Sequence, residues 1–223
     1  MRMDRWADRA YEEVRRLSAD RFLQNLTGLP VTADLFAGTH FHRIHDLKEA
    51  LLYGLVRTLR PENVVETGVC EGWSSRAILA AMEDSGTGHL VSIDLPEVGR
   101  GQTNEDGKWD GSRVPDSAST GREVPAYLRH RWELELGSSE ELLERALDRV
   151  GPVDLFFHDS AHTERLMRWE YTTAWPHLKG GGVLYSDDID WTPAFDDFAR
   201  SVGRHPWRFR LGRRGGETGG LRK

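Results

Sequence analysis

At 223 residues the chain is long enough to bury the core of one domain, and its 38% hydrophobic and 30% charged composition is that of a soluble protein. A formal net charge of -6 argues against a nucleic-acid partner, whose phosphates call for clustered Lys and Arg, and no run approaches the roughly 20 apolar residues of a membrane span. The single Cys70 excludes an intramolecular disulfide, and the opening MRMDRWADRAYEEVRR lacks the apolar core of a signal peptide, so a reducing, cytoplasmic compartment is expected.

Trp6, Ala10, Val14 and Leu17 recur at helical spacing, which predicts an amphipathic helix over 4–18, outside the main sheet, as a cover or a homo-oligomer contact. Residues 1–45 are thus set apart as an N-terminal helical segment ahead of a domain over 46–223. Gly28 to Gly38 reads as a loop. His40, His42 and His45 then resemble a metal cluster, but no Cys or carboxylate completes it before Asp46, so a lead-in to a helix or a pocket wall is expected. From Asp46 the run LKEALLYGLVRTLR has a helical apolar face that Pro61 ends.

Asn63-Val64-Val65-Glu66-Thr67 and the glycine turn to Gly72 lead into the helical SSRAILAAMED, the pattern of the first βα unit of a doubly wound sheet. Glu66, Gly68 and Gly72 lack the pyrophosphate-cradling glycines of dinucleotide enzymes. An acid at the strand tip suits a cationic amine better, which points to the amino-acid part of S-adenosylmethionine rather than to NAD. The next strand, His89 to Ile93, ends in Asp94, where ribose hydroxyls are held in nucleotide-binding α/β folds.

From Pro96 to Pro125 periodicity is lost. A loop of this length is expected to be a lid over substrate or disordered, with Trp109 as its anchor and Arg100, Lys108 and Arg113 as anion contacts. Arg131 to Leu136 alternates like a strand, and Ser139 reads as the cap of the helix that follows. Ser138 and Ser139 are expected on the adenine side. Arg200 to Arg214 reads as a solvated basic surface.

The stretch from Val153 to Asp190 reads as strand, helix Thr163 to Leu178, a turn at Lys179 to Gly182, and a strand over Val183 to Ser186. The helix after it is predicted from about Pro193 to Val202, with Asp190 well placed as its cap, and 207–211 and 217–222 read as a closing hairpin. If the two strands of the stretch are parallel neighbours, their carboxyl ends bring Asp159, Asp187 and Asp188 together, with His162 close by. Three carboxylates repel unless a cation sits among them, so a divalent metal is the expectation. His158, facing the other way along its strand, is expected to be structural or beside the cofactor.

With VVETGVCEGWSS, IDL, DLFFHDSAH and LKGGGVLYSDDI in this order, the chain resembles the class I S-adenosylmethionine-dependent methyltransferases over roughly 45–222. It is most similar to their metal-dependent O-methyltransferases, of the catechol type and the bacterial sugar and natural-product type. The resemblance implies an α/β fold, a doubly wound, mostly parallel seven-stranded sheet with an antiparallel C-terminal hairpin. It implies cofactor contacts at Glu66, Thr67, Gly68, Gly72, Ser74, Ser75, Asp94, Leu95, Ser138, Ser139 and Asp159, and Mg²⁺ or another divalent ion on Asp159, Asp187 and Asp188. His162 stands where the catechol type has a Lys base, and Asp187-Asp188 where that type has Asp-Asn. His162 is then the expected general base, and the acceptor a small molecule with vicinal oxygens. A nicotinamide-dependent oxidoreductase on the same framework and a non-catalytic binding protein are the two rival readings.

Overall fold

The computed structural model describes residues 19–40, 44, 46–96, 114, 116–211 and 216–223, with the backbone alone at 102–103 and 109–110. The predicted helix over 4–18, His42, His45, and the proposed lid contacts Arg100, Lys108, Arg113 and the Trp109 side chain lie outside the described residues.

Seven strands form the sheet: β1 (Asn63–Thr67), β2 (His89–Asp94), β5 (Trp132–Leu136), β6 (Val153–His158), β7 (Leu178–Ser186), β8 (Trp207–Arg210) and β9 (Glu217–Arg222). Their order is β5-β2-β1-β6-β7-β9-β8. The first five run parallel, and β9 pairs antiparallel with both β7 and β8, so the expected doubly wound sheet with a C-terminal hairpin is what forms. The short strands β3 (Gln102–Thr103) and β4 (Trp109–Asp110) make a separate ribbon.

Strand residues alternate between two apolar layers, as the period of two dictates. Val64, Leu155, Phe157, Val183 and Tyr185 pack with α1 (Ala19–Thr27), α2 (Leu47–Leu59) and α3 (Trp73–Ser85). Val65, Phe156 and Leu184 pack with α4 (Ser139–Val150), α5 (Glu164–His177) and α6 (Ala194–Ser201). Strand order reverses between β1 and β6, the crevice where ligands bind in open α/β sheets.

Three local expectations are corrected. Gly180 to Gly182 are not a turn between helix and strand: β7 begins at Leu178 and carries them as a bulge, with 179–182 facing the single Asp154 between Val153↔Leu178 and Leu155↔Val183. A Cβ on Gly182 would meet three carbonyl oxygens at 3.0 to 3.2 Å, so glycine lets the bulge lie flat on β6. The cap of α4 is Ser138, whose hydroxyl accepts from the Glu140 amide. Asp190 does not cap α6, which begins after Pro193 with no side-chain cap; its Oδ1 accepts from the Glu217 amide and ties the β7 turn to β9.

Helix α1 was not foreseen. Its Phe22, Leu23 and Leu26 are buried, and the Phe22 ring lies 6.3 Å from Tyr185 and 5.4 Å from Phe209, centroid to centroid. Phe22→Ala is expected to lower the stability of the whole sheet by about 3 kcal/mol or more. Urea unfolding followed by tryptophan fluorescence checks this; an unchanged midpoint would show α1 to be an appendage.

Candidate functional site

Thr67 pairs with Ile93 on one side and with His158 on the other, and His158 pairs with Ser186. The ends of β1, β6 and β7 therefore lie in one row with Ile93 of β2, and the ladder runs one residue further, where β2 ends at Asp94. Gly68 donates its amide to Ile93, Asp159 to Thr67 and Asp187 to His158, at 2.8 to 3.0 Å. Asp94, Gly68, Asp159 and Asp187 are consequently neighbours along one edge. Gly68 has φ 85, and a Cβ there would lie 2.0 Å from the Asp159 carbonyl oxygen, so the turns after β1 and β6 cross in contact.

On the β1–β2 side, Glu66 is fully buried, and its carboxylate accepts from the hydroxyls of Ser74, Ser75 and Ser92, each at 2.6 Å. Burial pushes its carboxyl up to about 7 against the pull of those hydroxyls. Ser74 and Ser75 thus have a structural partner. Asp94 Oδ1 accepts from the amides of Val69 and Cys70, while Oδ2 is buried with no hydrogen-bond partner among the described residues. Burial raises the Asp94 carboxyl despite those amides. Leu95 is 59% exposed beside it. Ser139 is buried on the Glu170 side, and Ser160 donates its hydroxyl to Glu170 Oε1 at 2.8 Å. Thr120 is buried near Asp94, and Gly121 and Glu123 donate their amides to the Cys70 and Glu71 carbonyls, so the end of the 96–125 segment is laid over the β1–α3 turn. A Cβ on Gly72 would meet Gly121 Cα at 2.8 Å.

On the β6–β7 side Asp159 and Asp187 share one cation, Lys48, and Asp188 follows Asp187 at the tip of β7. The Lys48 ammonium lies 2.9 Å from Asp159 Oδ2 and is also paired with Asp187 Oδ2. Burial works against the Lys48 charge, but Asp159 and Asp187 outweigh it and hold the ammonium well above its ordinary range. Asp188, in the left-handed region at φ 45, is pushed up to about 6 by burial and by the negative charge of Asp187. Asp159 is raised by burial and Asp187, against Lys48 and His162. Asp187 Oδ1 is buried without a hydrogen-bond partner among the described residues.

The donor chemistry, hard carboxylate oxygens with one orphaned among the described residues and the Asp188 carboxyl raised by burial and by its acidic neighbour, suits a further positive charge. As arranged around Lys48, no three His, Cys, Asp or Glu side chains among the described residues are grouped so that they could hold a metal ion.

His162 is 6% exposed, with Nε2 3.8 Å from Asp159 Oδ1 and its ring between Trp191 (5.2 Å) and His158 (5.4 Å). His158 is fully buried and pairs through Nδ1 with Glu170 Oε2 at 2.7 Å, in line with a structural part. Glu170 is also fully buried. Burial alone would raise its carboxyl, but the His158 ring and the hydroxyls of Ser139 and Thr67 bring it below its ordinary value. His40 of the histidine cluster pairs with Asp84 at 2.7 Å instead of facing a site.

A cavity of about 380 Å³ opens between α2 and the β1–α3 turn, walled by Lys48, Glu49, Leu52, Val69, Cys70, Trp73 and Asp159. Glu49 is fastened to Arg76 at 2.8 Å, and Trp73 lies under the Arg76 guanidinium at 4.3 Å. Lys48, Glu49 and Trp73 went unpredicted. Asp46 capping the helix two residues before Lys48 is the one local signal, since it places Lys48 at the sheet edge.

A family model described as methyltransferase domain matches residues 65–189. Among solved structures the chain is similar to the O-methyltransferase TomG from Streptomyces achromogenes, involved in tomaymycin synthesis and in complex with SAM. Identity is 18%, the TM-score 0.56, and the match covers 100% of this chain and 98% of that one. It is also similar to an O-methyltransferase from Bacillus cereus in complex with SAH (16%, TM-score 0.56, 92% and 97% covered) and to the SAH-bound Podospora anserina methyltransferase PaMTH1 (15%, TM-score 0.55, 78% and 77% covered). At these identities the likeness is one of fold. No curated protein matches the chain.

The Glu66 carboxyl, raised in the folded chain, stabilises the fold when protonated, and that contribution disappears as pH rises through about 7. Glu66→Gln is therefore expected to gain on the unsubstituted protein between about pH 5 and pH 8, by up to about 3 kcal/mol. Urea midpoints across that range check it; a constant gap would remove Glu66 as the titrating group.

Proposed function

Because the chain belongs to the methyltransferase-domain family, we propose that it moves the methyl group of S-adenosylmethionine to a hydroxyl oxygen of a small-molecule acceptor carrying a neighbouring oxygen. The observation that carries this reading is the common row of strand ends, with Asp94 at one end and the acid cluster at the other. SAM or SAH in the similar structures, two of them called O-methyltransferases, supports transfer to oxygen over the nicotinamide-dependent rival.

Asp94 offers its Oδ2, which has no hydrogen-bond partner among the described residues, to the cofactor's ribose hydroxyls, while Gly68 and Gly72 let the β6 turn and Gly121 close against the turn between. Thr67, Leu95 and Ser138 border the same edge. Asp159, Asp187 and Asp188 would hold a hard divalent ion. When bound, such an ion lowers the pKa of an acceptor hydroxyl and favours vicinal oxygens. His162 takes the proton of that hydroxyl: its ring is held between two aromatic neighbours, and the nearby Asp159 carboxylate stabilises the imidazolium that forms. A base so placed contributes about 10² to 10⁴ in rate.

His162→Ala is expected to lower kcat by about 100-fold or more with S-adenosylmethionine affinity unchanged. Turnover of a vicinal-diol panel, read by mass, and calorimetry check the two halves; undiminished kcat would remove the base. Excess EDTA should abolish turnover and Mg²⁺ restore it, whereas full activity in EDTA would eliminate the divalent ion. Asp94→Asn should weaken cofactor binding by about tenfold or more, one charged hydrogen bond's worth. Unchanged affinity would move the ribose elsewhere.

A further inference from the structure

Lys48 sits in the first turn of α2, where the helix dipole disfavours a cation, so the helix gains nothing from it. Its stem instead crosses the wall of the cavity to reach two carboxylates 111 and 139 positions away in sequence. The start of α2 is fixed independently: Asp46 accepts from the Glu49 amide at 2.9 Å, and Glu49 is held by the buried Arg76. The long lysine side chain is thus free to move on a helix that stays in place. Three carboxylates surround one ammonium, so Lys48 offsets only part of their charge and the cluster stays short of positive charge. The orphaned Asp187 Oδ1 marks where that deficit is felt.

We propose that Lys48 is the site's resident cation, bridging Asp159 and Asp187 in the unloaded protein and competing with a divalent ion for the same two oxygens. Loading the ion and withdrawing Lys48 are then one event. The proposal rests on the reading of Asp159, Asp187 and Asp188 as an ion-holding set. Because Lys48 also walls the cavity beside Leu52 and Trp73, its withdrawal reshapes that wall whenever the ion enters. The ammonium keeps the carboxylates from driving the edge apart until then.

Mn²⁺ binding followed by electron paramagnetic resonance at one pH, without acceptor, tests this on the full chain and its Lys48→Met and Lys48→Arg variants. SAH affinity by calorimetry reports that each is folded, and Lys48→Gln serves if Lys48→Met does not bind SAH. The neutral variant is expected to bind Mn²⁺ at least about tenfold more tightly than the unsubstituted chain, and Lys48→Arg to show no such gain. Thermal unfolding in EDTA should be lower for the neutral variant, with a larger rise on adding Mn²⁺. Equal or weaker Mn²⁺ affinity in the neutral variant, with binding in the unsubstituted chain, overturns the competition and leaves the ion site standing. No Mn²⁺ binding by any of the three at millimolar concentration, with SAH binding intact, overturns the ion site itself and makes Lys48 its permanent cation.

Discussion

The alignment of four parallel strand ends is the constraint on which the rest depends. Parallel neighbours connected through helices are free to end at different heights, yet β1, β6 and β7 stop in one row and β2 only one residue beyond it, and further amide–carbonyl bonds extend the row past the strands. Residues far apart in sequence become adjacent because a row across parallel strands has a spacing of about 4.8 Å. Contact between the turns after β1 and β6, possible only with glycine at Gly68, transmits any displacement of one to the other. A shift of one strand by a single residue would turn its tip to the opposite face and scatter the carboxylates.

Such an edge concentrates like charge, and the chain closes it from three directions. Residues 121–123 bond to the β1–α3 turn, α2 sends Lys48 across, and the turn after β7 is tied to β9 through Asp190 and the Glu217 amide. Asp188 takes a left-handed backbone that aspartate tolerates better than most residues, and a Cβ on Gly216 would fall 2.2 Å from its Oδ1. The C-terminal hairpin therefore supports the acid cluster directly as well as finishing the sheet.

What could be read from the sequence follows from burial on two faces. Strands covered on both sides appear as short runs dominated by apolar residues, such as VVET, LVSID and VDLFFH, so their ends, and the acids at or just beyond them, are visible without a structure. Features that depend on distant partners are not. Lys48 looks like any lysine on a helix surface, since nothing near it in the sequence announces Asp159 or Asp187. Ser74 and Ser75 resemble residues beside a cofactor, and only the fold brings Ser92 from the next strand to complete a shell around Glu66. The Gly180 to Gly182 run has the composition of a turn, and its place inside β7 is decided by pairing with β6. Helix α1 is too short for its apolar positions to stand out, and its burial comes from Tyr185 and Phe209.

Three acids at or beneath this edge, Glu66 and Glu170 buried and Asp159 half-buried, are satisfied in three ways, and the differences bear on what each can do. Glu66 has only neutral hydroxyls, which leave its carboxyl near neutrality in pKa, so it contributes structure and carries charge only when pH or a nearby cation demands it. Glu170 has the His158 ring as well as hydroxyls and stays an anion beneath the site, fixing His158 and with it one wall of His162. Asp159 has an ammonium on a flexible stem, a partner that can leave. A carboxylate fixed by its own fold cannot take part in loading and release, whereas one balanced by a mobile side chain can exchange it for another cation without unfolding anything. The compensating charge therefore sits on a flexible side chain at the β6–β7 end of the row, while the hydroxyl shell holds Glu66 in place at the β1–β2 end.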